Sequence, residues 1–336
     1  MATMEIGRAT LMRAAVRREY GEADVVHVEE VGRPAIAANE VLVRVYAAGV
    51  DRGVWHVMTG LPYLFRAAGI GVRAPKELSL GLDLAGVVEA VGAEVTKFQP
   101  GDEVFGVGAG SFAEYARARE ERLAIKPANL TFEQAAAVPV SGSTALLAVR
   151  DHGHVQAGQE VLVIGASGGV GTYAVQIAKA FGGRVTGVCS PAKVELVRLL
   201  GADTVIDYTQ EDFAAGGKRY DVIIDTGGNS SLPRLRQVLA ARGTLVIVGG
   251  EGGGRWFAGM GRPLRAMALS AFGQQKMGTF IATQRSEDLQ TLKQLIESGK
   301  VTPALEKSYD LADAAEAIRH VADGRAKGKV VLRIVT

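Results

Sequence analysis

The sequence contains a single cysteine, Cys189, among its 336 residues. This count excludes an internal disulfide and a structural zinc site built on cysteines. An excess of charge of one sign is also lacking, because 38 Lys and Arg nearly balance 36 Asp and Glu and leave a formal net charge of +2. No segment forms the basic stripe that nucleic-acid binding requires. No apolar run reaches the ~18 residues of a membrane span, and the first residues lack a signal-peptide core, so we expect a cytoplasmic protein.

Glycine, in contrast, is abundant. The chain has 43 glycines, nearly twice the average usage of about 7%. They follow no collagen period, which favours tight turns and close approaches of the backbone. The length of the chain predicts about two domains.

The first third of the chain has the pattern of short β-strands. Apolar and polar residues alternate at 41–45, 84–91 and 102–105, and glycine and proline separate these segments. The pattern favours a small barrel or sandwich over a parallel sheet. Further along, Thr131 begins a predicted helix at 132–137, with Gln134 as its capping-box partner.

From residue 161 onward, strands and helices alternate. The predicted strands are 161–164, 184–188, 204–207, 221–225 and 244–248, and the helices between them are 170–181, 191–200 and 232–241. Right-handed β-α-β crossovers of this kind build a doubly wound parallel sheet, so the predicted fold class is α/β. The glycine-rich segment 249–261 is interpreted as a mobile loop over a site. The tail, with helices at 287–298 and 311–323 and a strand at 329–335, is expected to pack back against the N-terminal β domain.

A glycine-rich loop gives the sharpest signal in the chain. The strand at 161–164 runs directly into G-x-x-G-x-x-G spacing, and a helix starts at once. A pyrophosphate needs backbone N–H groups at a helix N-terminus with no side chain in the way, so this context predicts a dinucleotide site rather than a purely structural turn. The predicted cofactor residues of the loop are Gly165, Ser167, Gly168, Gly169, Val170 and Gly171.

The end of the second strand of the parallel sheet indicates which dinucleotide is bound. A protein that binds NAD usually places an acid there, about 20 residues beyond the first glycine. This chain has Ser190 and Lys193, and no acid before Glu195. A hydroxyl and an ammonium suit the 2′-phosphate of NADP(H), which is the predicted cofactor. A compatible alternative makes Ser190 a helix N-cap and Lys193 a solvated surface residue.

Several motifs occur together in an order typical of one enzyme superfamily. They are GLDLAGVVEAVG at 81–92, FQPGDEVFG at 98–106, AAAVP at 135–139, STA at 143–145 and the glycine loop at 165–171. Over nearly the whole chain they resemble the medium-chain dehydrogenase/reductase superfamily, and in particular its zinc-free, quinone oxidoreductase-like branch. The resemblance implies a GroES-like, β-rich catalytic domain built from both chain ends (1–129 and 284–336) around a Rossmann dinucleotide-binding domain (130–283).

The same resemblance argues against a metal. Zinc-dependent relatives carry a cysteine ligand where this chain has Gly-Val-Asp at 49–51, and Gly-His-Glu where it has Gly-Leu-Asp at 81–83. Leu82 cannot ligate a metal, whereas a catalytic zinc needs about three protein ligands. Asp51, His56 and Asp83 can be proposed as ligands, but the resemblance offers no such trio. We therefore expect no metal.

The resemblance also implies which residues surround substrate and cofactor. The catalytic candidates are Asp51, His56 and Tyr63. Their alternative roles are a helix N-cap for Asp51, a structural histidine and simple packing of the tyrosine. The further cofactor candidates are Thr144 beside the nicotinamide ring, Tyr208 beside the adenosine 2′-phosphate, and Gly249 and Gly250 beside the carboxamide.

These features predict a zinc-independent, NADPH-dependent oxidoreductase that transfers hydride to quinones or α,β-unsaturated carbonyls. A conjugated acceptor needs no Lewis acid, because it spreads the charge that hydride addition creates. Two alternatives stay open: an NAD(P)-dependent alcohol or ketone dehydrogenase, and an NADPH-binding structural or redox-sensing protein without turnover. The expected partners are a small quinone or enone and a second copy of the chain, for which 276–281 is a candidate edge strand.

Overall fold

Two large β-sheets organise the protein in the computed structural model, which describes residues 11–249, 261–271 and 273–334. The strands are β1 (Leu11–Val16), β2 (His27–Gly32), β3 (Glu40–Val50), β4 (Asp83–Val91), β5 (Glu103–Val107), β6 (Tyr115–Arg119), β7 (Leu123–Ile125), β8 (Glu160–Ile164), β9 (Arg184–Cys189), β10 (Thr204–Asp207), β11 (Tyr220–Asp225), β12 (Leu239–Ile247), β13 (Lys276–Thr279), β14 (Leu305–Asp310) and β15 (Lys329–Arg333). The helices are α1 (Arg52–Thr59), α2 (Tyr63–Phe65), α3 (Phe132–Ala136), α4 (Pro139–Leu147), α5 (Gly169–Ala180), α6 (Val194–Leu199), α7 (Leu232–Val238), α8 (Gly261–Ser270), α9 (Ser286–Glu297) and α10 (Ala314–Ala322).

Six strands form a parallel sheet in the order β10-β9-β8-β11-β12-β13. Val161, Leu162 and Val163 in β8 have no exposed surface, as expected of a parallel strand covered on both faces. The strand order reverses between β8 and β11. The carboxyl ends of these two strands are therefore the topological switch point, where open α/β sheets bind their ligands. The doubly wound sheet predicted from the sequence is confirmed.

The other large sheet joins the two ends of the chain. Its order is β14-β15-β3-β4-β5-β7, and β6 also pairs with β3. β15 runs antiparallel to β3, with Val330 opposite Val50, and β14 runs parallel to β15. The tail thus packs against the N-terminal sheet, as the sequence predicts. The domain limits at 129/130 and 283/284 stay a prediction.

Some elements form where a local sequence signal predicts them, and others form only through pairing with a distant part of the chain. The capping box at α3 is confirmed, because the Thr131 hydroxyl accepts from the Gln134 N–H at 3.2 Å and the Gln134 side chain accepts from the Thr131 N–H at 3.0 Å. β14 was not predicted, because its residues are mostly exposed and carry no apolar alternation. Pairing with β15 holds this strand. Most of the segment interpreted as a mobile loop, 250–260, lies outside the described residues.

A shared core holds the two sheets against each other. Buried Ala47, Ala85 and Phe105 of the N-terminal sheet belong to the same apolar cluster as Leu146 of α4 and Tyr173 of α5. The Tyr173 hydroxyl also donates to the carbonyl of Ala137 at 3.0 Å, which satisfies its buried polar atom. The sheets therefore meet through packed side chains, and this contact fixes the walls of the cleft between them.

Candidate active site

A cleft of about 670 Å³ lies where the two sheets face each other. One wall comprises the carboxyl ends of β8, β11 and β12 together with the start of α5. The opposite wall comprises the end of β3, α1 and the tail segment between α10 and β15. The cleft therefore opens at the switch point of the parallel sheet, and the wall that faces this sheet comes from both ends of the chain.

Glycine is required at two points of the loop that joins β8 to α5. Gly165 has a φ of +78°, a left-handed conformation that residues with a side chain rarely adopt. At Gly171, a Cβ atom would lie 2.1 Å from the Gly165 carbonyl oxygen. Only glycine there lets α5 pack this closely on the sheet. Thr226 braces the turn, because its hydroxyl donates to the Ile164 carbonyl at 2.8 Å.

The N-terminus of α5 is open to the cleft. Gly168 is the N-cap residue, and no side chain caps the helix. The N–H groups of the first turn are thus left for a ligand, and the positive end of the helix dipole favours an anion. These features fit the pyrophosphate of a dinucleotide. The predicted cofactor residues that line the cleft are Gly165, Ser167, Gly168, Gly169, Val170, Lys193 and Gly249. Gly171 is not among the lining residues, and Gly250 lies outside the described residues.

Ser190 and Tyr208 lie side by side at the carboxyl end of β9. The Tyr208 N–H donates to the carbonyl of Cys189 at 3.2 Å, and the Tyr208 side chain is 62% exposed. Ser190 occupies the N-cap position of a short 3-10 turn, but its hydroxyl makes no capping hydrogen bond. Neither residue lines the cleft itself. Their position at the end of the second strand of the parallel sheet fits the adenosine end of a dinucleotide.

Lys193 links the two walls of the cleft. Its ammonium donates to the carbonyl of Ala326 at 2.6 Å, in the tail segment, and burial lowers the pKa of the lysine. The alternative interpretation as a solvated surface residue is therefore wrong, because the side chain is half-buried and bonded across the cleft. No sequence pattern indicates this bond, since the two residues lie far apart in the chain.

Asp51 is both a helix cap and part of the cleft wall. Its Oδ1 accepts from the Gly53 N–H at 2.6 Å and so caps α1. Its Oδ2 has no hydrogen-bond partner among the described residues, and the residue is 8% exposed. The capping role and the position in the cleft are therefore compatible, and one carboxylate oxygen is left to receive a polar group of a ligand.

His56 lines the cleft one turn further along α1. Its Nδ1 lies 2.9 Å from the carbonyl oxygen of Leu61. A carbonyl only accepts hydrogen bonds, so Nδ1 carries the proton and, in the neutral ring, Nε2 carries the lone pair. His56 can therefore donate a proton from Nε2 only in its imidazolium form.

Tyr63 and Thr144 contact neighbouring residues of the protein. The Arg66 guanidinium lies over the ring of Tyr63, 4.8 Å from its centre. The Thr144 hydroxyl donates to the carbonyl of Val140 at 2.7 Å, one turn back in α4. Neither residue belongs to the described lining of the cleft. Their proposed contacts with substrate and nicotinamide remain predictions.

A buried ion pair, which the sequence patterns did not indicate, lies beside the cleft; Lys329 lines the cleft and Asp83 lies behind it. The Nζ atom of Lys329, in β15, lies 3.5 Å from Oδ2 of Asp83, in β4, and donates to the Ser141 hydroxyl at 3.1 Å. Both charged residues are almost fully buried. The Asp83 carboxylate also accepts from the Val140 N–H at 2.8 Å. In the sequence, Asp83 stands out only as a possible metal ligand, and Lys329 only as the start of a strand.

The Asp83 carboxyl group titrates near neutrality. Burial raises its pKa to about 7, because a carboxylate loses its hydration inside the protein. The Lys329 ammonium opposes this shift and the nearby charge of Asp51 adds to it. A fully buried carboxyl group behind the cleft therefore has a pKa raised toward neutrality.

The arrangement does not fit a catalytic zinc. The described residues contain no group of three His, Cys, Asp or Glu side chains able to hold a metal ion. The only carboxylate at the Gly-Leu-Asp motif, that of Asp83, faces an ammonium instead of an open ligand position. A catalytic zinc needs about three protein ligands around one point.

The chain is similar to known oxidoreductases along its length. Residues 37–128 match the family model described as alcohol dehydrogenase GroES-like domain, and residues 200–332 match one described as zinc-binding dehydrogenase. The 2-methylene-furan-3-one reductase of Solanum lycopersicum is 32% identical over 96% of this chain and 79% of its own. The chloroplastic NADPH-dependent alkenal/one oxidoreductase of Arabidopsis thaliana is 33% identical, with the same coverage of 96% and 79%. The solved quinone oxidoreductase of Coxiella burnetii superposes with a TM-score of 0.85 at 25% identity, over 97% of this chain and all of that one.

The doubly wound sheet, the open glycine loop and the cleft at the switch point define an oxidoreductase with a dinucleotide-binding domain. The chain belongs to the medium-chain dehydrogenase/reductase superfamily, among its quinone oxidoreductase-like members. The GroES-like character expected of the N-terminal domain is confirmed. Among the described residues, no helix is long and apolar enough to cross a bilayer.

The raised pKa of Asp83 makes a prediction about stability. Between pH 4 and 7 the folded protein keeps a proton that the unfolded chain releases, so the free energy of unfolding falls as the pH rises through this window. The full effect is on the order of 4 kcal/mol, at about 1.4 kcal/mol for each pH unit. Asp83→Asn removes the titrating group and flattens this slope.

Urea unfolding at several pH values between 4 and 8 measures the slope. Glu22→Gln, which neutralises an exposed carboxylate, is the matched control and keeps the slope of the wild type. Equal slopes in the wild type and Asp83→Asn would show that the Asp83 pKa is not raised.

Proposed function

We propose that the protein is a zinc-independent, NADPH-dependent reductase of quinones or α,β-unsaturated carbonyls. The observation that carries this proposal is that one cleft joins the open N-terminus of α5 to a wall containing Asp51, His56 and Lys329. The helix terminus suits a dinucleotide, and the wall offers polar groups rather than a metal-ligand set. The names of two relatives, a 2-methylene-furan-3-one reductase and an alkenal/one oxidoreductase, support the same chemistry.

The residues of the cleft would orient the acceptor and manage its charge and proton. When bound, the reduced nicotinamide supplies the hydride. The free Oδ2 of Asp51 can accept a hydrogen bond from the acceptor or from a water molecule beside it. Protonated His56 can supply a proton from Nε2. Conjugation spreads the charge that hydride addition creates, so a quinone or an enone needs less stabilisation than a simple ketone does.

Ser190, Lys193 and Tyr208 support NADP(H) as the cofactor. They surround the end of β9, where the ribose of the adenosine is expected, and the chain directly after β9 has no acid before Glu195. The name of the Arabidopsis relative includes NADPH. The Lys193 ammonium has three donor hydrogens, so it can bind a 2′-phosphate while it keeps its bond to Ala326.

A homodimer is part of the same proposal. β13 is the last strand of the parallel sheet and leaves one backbone edge open to pairing among the described residues. Ile281, just beyond this strand, is 94% exposed. An open edge with an apolar neighbour suits a two-fold contact with a second copy of the chain. The cytoplasmic location stays a prediction, and the Arabidopsis relative is described as chloroplastic.

An acceptor panel tests the proposed function. Quinones and enones are expected to be reduced at least about a hundredfold faster than simple ketones, a difference of about 2.7 kcal/mol in barrier. An isolated ketone concentrates the charge on one oxygen, which this cleft is less able to stabilise without a Lewis acid. The rates are followed as loss of NADPH absorbance. A preference for simple ketones and alcohols would support a dehydrogenase, and NADPH binding without any turnover would support a sensor or structural protein.

Cofactor preference is tested by Lys193→Ala. Loss of a charge-assisted hydrogen bond costs about 1.5–3 kcal/mol, which is at least about tenfold in Kd. NADPH binding, measured by fluorescence titration, should weaken by this factor while NADH binding stays nearly unchanged. Lys97→Ala, at an exposed lysine, is the control. Equal affinity of the wild type for NADPH and NADH would contradict the proposal.

Metal independence is tested by chelation. Because no described cluster of side chains can hold a zinc, turnover should survive prolonged dialysis against EDTA, and elemental analysis should find substoichiometric zinc. Stoichiometric zinc whose removal abolishes turnover would overturn this part of the proposal.

A further inference from the structure

The Lys329 ammonium has more donor capacity than its partners use. Of its three N–H groups, one donates to the Ser141 hydroxyl at 3.1 Å. The Asp83 oxygen at 3.5 Å is beyond a strong hydrogen bond. No other hydrogen-bond partner of Nζ occurs among the described residues. A buried ammonium held this incompletely is costly, and the cost is reduced when a ligand supplies the missing acceptor.

The position of Lys329 indicates which ligand can supply the missing hydrogen-bond acceptor. Val330 is opposite Val50 in the β15–β3 pair, and one further step in this register brings Lys329 opposite Asp51. The same side chain passes the start of α5, since a Cβ atom on Gly169 would lie 3.3 Å from its Cδ. The lysine therefore lines the cleft between the glycine loop and the Asp51 wall. A substrate that accepts hydride from a dinucleotide bound at the glycine loop would share this space with Lys329.

We propose that Lys329 is a catalytic residue whose ammonium binds the carbonyl oxygen of the acceptor, and that Asp83 and Ser141 are positioning residues that hold it. This inference rests on the proposed function. Hydride addition to the β-carbon of an enone breaks the C=C π bond and moves an electron pair to the carbonyl oxygen. That oxygen takes a proton from Nζ, the amine regains a proton from water, and the enol tautomerises to the saturated ketone.

The proposal also explains how a cleft without a metal-ligand set stabilises a developing oxyanion. A cation that the fold holds in place stabilises such a charge without reorganisation at the moment of reaction. The Asp83 carboxylate is itself fixed by the Val140 N–H, so the lysine has a rigid counter-charge on one side and the cleft on the other. The Lys329 ammonium would thus stabilise the part of the charge that reaches the carbonyl oxygen of a conjugated acceptor, as a weaker substitute for a Lewis acid.

The test compares three variants with the wild type. Lys329→Met removes the cation but leaves Asp83 without its partner. The double variant Lys329→Met/Asp83→Asn removes both charges of the pair and leaves neutral side chains in their place. Asp83→Asn alone keeps the Lys329 cation and removes only the carboxylate that positions it. Lys97→Met, at an exposed lysine, is the matched control. Melting temperature and NADPH Kd are measured for each protein before activity.

The first readout is turnover of but-3-en-2-one with NADPH. In the double variant kcat should fall at least about a hundredfold, as is typical when one preorganised donor to an oxyanion is removed. Its NADPH Kd should stay within about twofold of the wild type, a difference of less than 0.5 kcal/mol. Asp83→Asn should lose less than about tenfold, because the ammonium remains. A double variant with unchanged kcat, or a loss that appears only in NADPH Kd, would overturn the proposal.

The second readout needs no turnover. p-Nitrophenol changes its absorbance on ionisation, and its phenolate imitates the oxyanion of the reduced acceptor. With NADP⁺ present, the wild type should bind the phenolate at least about tenfold more tightly than the double variant does, because the ammonium favours the charged form. Equal phenolate binding would overturn the role of Lys329 even if the wild type reduces enones. Phenolate preference without enone turnover by the wild type would instead contradict the proposed function and leave the cation site standing.

Discussion

The closest backbone approach in the glycine loop occurs between α5 and the turn after β8, and the cleft depends on it. A Cβ atom at Gly171 would lie 2.1 Å from the Gly165 carbonyl, so any side chain there would push the helix off the sheet. With glycine, the N-terminus of α5 stays at the switch point and presents its free N–H groups to the cleft. Gly169 leaves room beside it for Ser141 and Lys329, which lie 3.2 and 3.3 Å from where its Cβ atom would be.

The return of the chain end completes the cleft. β15 pairs with β3, so the tail supplies part of the wall that faces the glycine loop. The same pairing brings Lys329 beside Asp83, a residue of β4 on the other side of β3. Lys193 makes a second connection, from the end of the second parallel strand to the carbonyl of Ala326. The cofactor side and the substrate side are therefore tied together by sheet pairing and by a lysine bond.

The buried charges are better explained by function than by stability. A buried ion pair gains little over apolar residues of the same size, since desolvation offsets its attraction. Here the pair is also imperfect, with 3.5 Å between Lys329 and Asp83 and a carboxyl pKa raised to about 7. Such a pair keeps a cation at the wall of a cleft that lacks a described metal-ligand set, which is the basis of the role proposed for Lys329.

The sequence by itself determined the alternating strands and helices that predict a doubly wound sheet, the glycine loop and the helix cap at Thr131, because the signal for each lies in residues close together in the chain. Periodicity and glycine spacing record such local requirements directly. Only the tertiary structure decided that Lys329 meets Asp83 and that Lys193 bonds across the cleft. These contacts join segments far apart in the sequence, and the sheet register and domain packing that create them leave no periodic trace in either segment.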